Sequence, residues 1–253
     1  MYFTADFRHK LAQGTPCIGP SITYADPTVT ETLAPESDFL WIDTEHTALS
    51  LESVNAHLLA ARACATPALV RVPANETSAI KRLLDIGVSG VIVPQIRTAE
   101  EVTQAVADMR YPPVGRRGFG PRRPADYGRT SLEDHLRTAN ESVFAAVQIE
   151  TAEALDAVED IARVPGLDSL VLGPMDLSGA LGHLGDVGHP SVEAAMDRVI
   201  AAGRDAGIAI GIGMGADPSL AEKWIARGVH WVQLGCDFEY LVHGARRAFA
   251  INT

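Results

Sequence analysis

Trp41-Ile42-Asp43-Thr44-Glu45-His46 sets two carboxylates and an imidazole within four residues of one another. An aspartate beside a histidine can orient the ring and stabilise its charged form, giving a tuned acid–base pair, so Asp43 and His46 are read as such a pair. The plainer account of His46 is a hydrogen-bonded loop residue, and no other of the eight histidines has a comparable setting. Glu150 and Asp176 are the second candidate pair. Two carboxylates brought together repel unless a cation lies between them. With no second histidine or cysteine nearby in sequence, the donor set is oxygen-rich and suits Mg²⁺ or Mn²⁺. The alternative is that each carboxylate caps the helix that follows it. Arg71 interrupts the apolar run Leu69-Val70-Arg71-Val72. A cation there needs a partner, because burying it alone is costly; it is either a clamp on a substrate oxygen or half of a structural ion pair.

Eight short apolar runs position these groups: Cys17–Thr23, Asp38–Asp43, Ala68–Val72, Gly90–Pro94, Phe144–Glu150, Ser169–Gly173, Ile208–Ile212 and Trp231–Gly235. Most are continuously apolar rather than alternating, as expected of parallel strands covered on both faces. Helical stretches fill the gaps, among them Glu52–Ala63 and Ser78–Ile86. Thr98 with Glu101 resembles a capping box, and Asp217-Pro218 an N-cap followed by proline at the first helical position. Eight βα units over 253 residues predict a single (β/α)8 barrel spanning 1–253, with a doubly wound open sheet as the competing arrangement. The connection from Arg110 to about Ser142 is unusually long and rich in proline and glycine. In a barrel, active residues collect at the C-terminal strand ends. Asp43, Arg71, Pro94-Gln95, Gln148 with Glu150, and Gly173-Pro174-Met175-Asp176 all fall there.

Composition narrows the function. A net charge of −11 disfavours a nucleic-acid partner, and the one basic cluster, Arg116, Arg117, Arg122 and Arg123, lacks interleaved stacking residues. The N-terminal Met1–Phe7 has no signal-peptide pattern, and no apolar run approaches the ~18–20 residues of a membrane span, so a cytoplasmic location is expected. Cys17, Cys64 and Cys236 form no CxxC and read as small packed residues. The three lysines, Lys10, Lys81 and Lys223, avoid the strand ends, which speaks against Schiff-base chemistry and toward a metal. Gly211-Ile212-Gly213-Met214-Gly215 does not have the GxGxxG spacing; tight packing at the barrel mouth is its plainer account.

The segments Asp38–His46, Val70–Pro73, Lys81–Gly87, Tyr111–Gly118, Val147–Glu150 and Gly173–Ser178, in this order from about residue 14 to 240, resemble the HpcH/HpaI aldolases. These are metal-dependent (class II) pyruvate aldolases that include the 4-hydroxy-2-oxoheptanedioate and 2-dehydro-3-deoxyglucarate enzymes. The resemblance implies a lyase that forms or cleaves a carbon–carbon bond between pyruvate or hydroxypyruvate, as enolate, and an aldehyde, acting on 4-hydroxy-2-oxo acids. It implies a divalent metal (Mg²⁺ or Mn²⁺, with Co²⁺ as a further option) on Glu150 and Asp176. Gln148 and the backbone N–H groups of Met175 and Asp176 would hold the 2-oxo acid, and Arg71 would stabilise the enolate oxygen. His46, oriented by Asp43, would manage protons. It further implies a homo-oligomer, a hexamer or trimer of dimers that exchange the last helix, with Asp85 reaching a neighbouring subunit's site. Thr44 and Met175 stand where the family usually has smaller residues, and Gly19-Pro20-Ser21-Ile22 lacks a common aromatic; these departures bear on the aldehyde. Two alternatives use the same barrel: a CoA-thioester lyase or 2-oxo acid decarboxylase, and a non-catalytic ligand-binding protein. A CoA site would need a basic groove, which only the Arg116–Arg123 loop could supply.

Overall fold

The computed structural model describes residues 3–250; Met1, Tyr2 and residues 251–253 of the expected span lie outside them. Eight strands close into one parallel barrel in chain order. They are β1 (Cys17–Ile22), β2 (Leu40–Asp43), β3 (Ala68–Arg71), β4 (Gly90–Val93), β5 (Phe144–Ile149), β6 (Ser169–Leu172), β7 (Ala209–Met214) and β8 (Trp231–Cys236). All eight expected runs are strands, and the open sheet is excluded by pairing of β1 with β8. The apolar runs are continuous because one side of each strand faces the helices and the other the barrel interior. Val70, Val91, Val147, Leu170, Ile212 and Val232 belong to the outer layer. Phe39, Trp41, Leu69, Ile92, Phe144, Val171 and Trp231 fill the inner one.

Local signals start the helices as anticipated. Thr98 Oγ1 accepts from Glu101 N, and Asp217 Oδ1 from Leu220 N ahead of Pro218. Two features differ from expectation. The helix Thr4–Ala12 closes the N-terminal end of the barrel. Its Phe7 is buried against Phe39, Phe144 and Trp231, with ring centroids 5.3–6.2 Å apart. Each such ring, fully buried, contributes roughly 1.5–3 kcal/mol relative to exposure. The long connection ends in a regular helix. Leu132–Ser142 is a helix capped by Ser131, which accepts from Asp134 N, and it buries His135 and Ala139. No helix among the described residues is long and apolar enough to cross a membrane.

Candidate active site at the C-terminal mouth of the barrel

Parallel register sets the first contact. Asp43 and Arg71 are directly opposed on β2 and β3. Arg71 Nε donates to Asp43 Oδ1 at 2.9 Å and Nη2 to Asp43 Oδ2 at 2.8 Å, a fork-to-fork pair. Burial opposes the charge on Arg71, but the Asp43 pair more than offsets it, and the guanidinium stays protonated. Its plane lies over Trp41, 5.3 Å from the ring centroid. Nη1 donates to Gln148 Oε1 at 3.3 Å, and Gln148 Nε2 donates to Glu150 Oε2 at 2.8 Å. Gln148 and Glu150 are two residues apart and therefore share the inward face at the end of β5. A continuous polar chain thus runs Asp43–Arg71–Gln148–Glu150 across three strand ends.

Glu150 is buried, and its second oxygen is held from β4. Gln95 donates both its backbone N–H (2.8 Å) and its side-chain amide (3.0 Å) to Glu150 Oε1. Gln95 adopts φ 55°, a left-handed conformation uncommon outside glycine, and in it the backbone N–H meets the carboxylate. At the end of β6 a Cβ on Gly173 would lie 2.7 Å from Glu150 Oε2, so only glycine lets this carboxylate approach the turn that carries Asp176. Thr151, not Glu150, caps the following helix by accepting from Ala154 N. Asp176 makes no capping bond in the first turn of the helix Pro174–Ala180. The helix-cap account of both carboxylates therefore fails.

Four acids, Asp43, Glu45, Glu150 and Asp176, share one cation. Burial pushes the Glu150 carboxyl up to about 7; the Gln95 N–H opposes this, the charges of Glu45 and Asp176 add to it, and Arg71 offsets part. Glu45 is raised as well, by burial first and then by Asp43 and Asp176 against Arg71. Arg71 Nη1 lies 3.0 Å from Glu45 Oε2 without an N–H aimed at it, so this buried oxygen has an ion contact and no hydrogen bond. Such an excess of carboxylate oxygen fits a hard divalent cation. Among the described residues no three His, Cys, Asp or Glu side chains converge on one point. A protein donor set of two carboxylates is what Mg²⁺ or Mn²⁺ tolerates, keeping its other positions for water and substrate.

The expected Asp43–His46 coupling is not formed. Asp43 accepts from Arg71 through both oxygens and from Glu45 N through Oδ1 at 3.0 Å, and none of its bonds goes to the imidazole. His46 is exposed, and its Nε2 lies 3.6 Å from Glu45 Oε2. Glu45 and Gln95 are site residues that sequence reasoning noted only as strand-end polar groups. Thr44 Oγ1 turns to the Arg71 carbonyl, so its hydroxyl serves the β2–β3 junction. Met175 is 57% exposed beside Asp176. Asp85 lies near the C-terminal end of the helix Thr77–Ile86, which in a βα unit runs back toward the N-terminal face, away from this mouth; it pairs there with buried Arg117 at 3.1 Å. Two more arginines of the basic loop are paired internally, Arg116 with Asp108 at 2.6 Å and Arg123 with Asn55 and the Ile86 carbonyl, while Arg122 is exposed. Burial pushes the Cys17 thiol up to about 12, which removes it as a nucleophile.

A parallel (β/α)8 barrel whose C-terminal mouth carries buried carboxylates, one clamped guanidinium and a carboxamide is built for stabilising negative charge on a small oxygen-rich substrate. Residues 23–244 match the HpcH/HpaI aldolase/citrate lyase family. The chain is 39% identical to the hydroxypyruvate/pyruvate aldolase of Deinococcus radiodurans over 95% of its length and 87% of the relative's. It is 36% identical to the 4-hydroxy-2-oxo-heptane-1,7-dioate aldolase of Salmonella dublin, over 94% and 91%. A crystal structure of an HpcH/HpaI aldolase/citrate lyase family protein from Burkholderia cenocepacia J2315 superposes with a TM-score of 0.90 at 37% identity, over 96% and 97% of the two chains. The chain belongs to the HpcH/HpaI aldolase/citrate lyase family and is a carbon–carbon lyase of the aldolase type.

Proposed function

We propose that this protein is a divalent-metal aldolase that joins pyruvate or hydroxypyruvate to an aldehyde, or cleaves the resulting 4-hydroxy-2-oxo acid, and that residues 1–253 act as one domain. The observation that carries this reading is the polar chain from Asp43 through Arg71 and Gln148 to Glu150, ending beside Asp176 with more carboxylate than its one cation neutralises. Glu150 and Asp176 would hold the metal, Mg²⁺ or Mn²⁺ by donor type and Co²⁺ as a substitute. When bound, it supplies Lewis-acid polarisation of the keto group. Arg71, fixed by Asp43, presents Nη1 to the negative charge that develops on the keto oxygen. Gln148 orients the 2-oxo acid between Arg71 and Glu150. The first-turn N–H groups of Met175 and Asp176 have no acceptor earlier in their helix and suit the substrate carboxylate. His46, with Glu45 beside Nε2, moves protons at the C3 carbon and the 4-hydroxyl.

Pyruvate in D2O tests this directly. Methyl-proton exchange followed by NMR is expected with Mg²⁺ or Mn²⁺, and it should vanish with chelator and in Glu150→Ala and Asp176→Ala. No exchange with any of these metals would end the reading.

We further propose a cytoplasmic homo-oligomer, hexameric as a trimer of dimers, in which the last helix packs on a neighbouring subunit and Asp85 approaches that neighbour's site. The helix Asp237–Phe249 exposes Phe238, Leu241, Val242 and Phe249 and buries only Asp237. Beside it, Ile18, Pro20, Leu33, Leu234 and Tyr240 line an open groove of about 440 Å³. Light scattering should report a mass several times 26.9 kDa, and Leu241→Asp with Val242→Asp should dissociate the assembly. A monomeric wild-type protein would refute the proposal.

A further inference from the structure

Gln233 is a polar side chain on the inner wall of the barrel for which the preceding mechanism has no use. It lies on β8, is 8% exposed, and pairs in register with Gly213 on β7 and Gly19 on β1. Both amide hydrogens are committed. Nε2 donates to the Met214 carbonyl at 3.3 Å and the Gly235 carbonyl at 2.7 Å. Those carbonyls sit at the C-terminal ends of β7 and β8, the same end of the barrel as Asp43, Arg71 and Glu150. The two bonds fix the amide plane and the direction of the carboxamide oxygen. Oε1 accepts no hydrogen bond from any described residue, and it is not among the fully enclosed unpaired atoms.

The space in front of that oxygen is open. A methyl group placed on Gly213 would meet only two atoms within 4 Å, Gln233 Oε1 at 3.2 Å and the edge of the Trp41 ring at 3.9 Å. Trp41 is the ring over which Arg71 stacks. Gln233, Trp41, Arg71, Gln148 and Glu150 therefore form one continuous floor. A substrate held at the Arg71–Glu150 end has, a ring's width away, open space bordered by a fixed acceptor. A methyl or methylene there leaves Oε1 unpaired after desolvation, whereas a hydroxyl satisfies it.

We infer that Gln233 is a specificity residue that accepts a hydrogen bond from a substrate hydroxyl carried next to a reacting carbonyl, so that the site favours hydroxylated substrates over their deoxy counterparts. The inference rests on the aldolase reading above. The hydroxyl has two sources, the 2-oxo acid or the aldehyde, and two substrate pairs separate them. One pair is hydroxypyruvate against pyruvate with a common aldehyde. The other is glycolaldehyde against acetaldehyde with pyruvate.

The experiment compares kcat/KM ratios within each pair for the metal-loaded wild type, Gln233→Met and Gly213→Ala. Gln233→Met keeps the side-chain length and removes the acceptor. Gly213→Ala keeps the amide and its two donor bonds but fills the space before it. In the pair whose hydroxyl is recognised, both variants should lower the hydroxy-to-deoxy ratio about tenfold. If Gln233 serves only to tie down the Met214 and Gly235 carbonyls, both members of each pair fall together and the ratios stay put, which overturns the inference. If Gln233→Met fails to fold, Gly213→Ala decides by the same ratio. Absence of pyruvate proton exchange and of all turnover in the wild type would instead defeat the aldolase reading, and this inference with it.

Discussion

Arg71→Met is expected to lower the metal-dependent exchange rate of pyruvate protons by about 10²–10³-fold, the loss typical of removing one preorganised charge from an enolate or oxyanion site. It should also destabilise the fold by roughly 3–5 kcal/mol, because Asp43 would be left buried without a partner. The two effects are separable. Arg71 and Asp43 are side chains only 13% and 6% exposed, joined by two bonds under 3 Å. Removing both, in Asp43→Asn with Arg71→Met, should recover most of the lost stability in urea unfolding and none of the activity. Arg71→Lys keeps the charge but not the fork: one ammonium cannot grip both Asp43 oxygens and still reach Gln148, so activity should remain at least tenfold down. A Met variant within threefold of wild type would remove Arg71 from the chemistry and leave it a structural ion pair.

The same pair shows what could be read from sequence. That Arg71 needs a partner follows from its place in an apolar run. That the partner is Asp43 follows from register, and nothing in either strand specifies the stagger between them. Proximity in sequence instead suggested His46 for Asp43, only three residues on, whereas the chain turns at Thr44 and sends the imidazole outward. Gln148 and Glu150 were legible because they lie on one strand, where a spacing of two fixes a common face. Gln95 was legible only as a strand-end polar residue, since its contact with Glu150 depends on a φ of 55° that a non-glycine residue does not advertise. The eight strands were legible because most are apolar on both faces. Thr4–Ala12 was missed because only Phe7 among its larger side chains is buried, too sparse a pattern to signal a helix. Proline and glycine over residues 112–124 masked the helix that follows them.

The second large effect lies in proton–metal competition at Glu150. Its carboxyl titrates near 7 in the folded, metal-free chain, against 4.5 as the ordinary value, with burial as the first cause. The folded state thus holds this proton more tightly than the unfolded state does. The associated stability is complete below about 4.5 and is lost as pH rises to about 7, a swing of roughly 3 kcal/mol at most. Chelator-treated protein should therefore melt at lower temperature at pH 8 than at pH 6, and Glu150→Gln, which carries no titrating proton, should flatten that slope. A divalent ion needs the ionised carboxylate, so its binding must displace the proton. Affinity should rise about tenfold per pH unit between 5 and 7 and level off above. Saturating Mn²⁺ should add more stability at pH 8 than at pH 6, because neither the metal-bound nor the unfolded chain holds this proton, and the slope of the metal-free form should flatten. Titration calorimetry in buffers of different ionisation enthalpy reads the displaced proton directly. Close to one proton released per Mn²⁺ at pH 6 and little at pH 8 is expected; none at either pH would mean that Glu150 is already ionised, or is not a ligand.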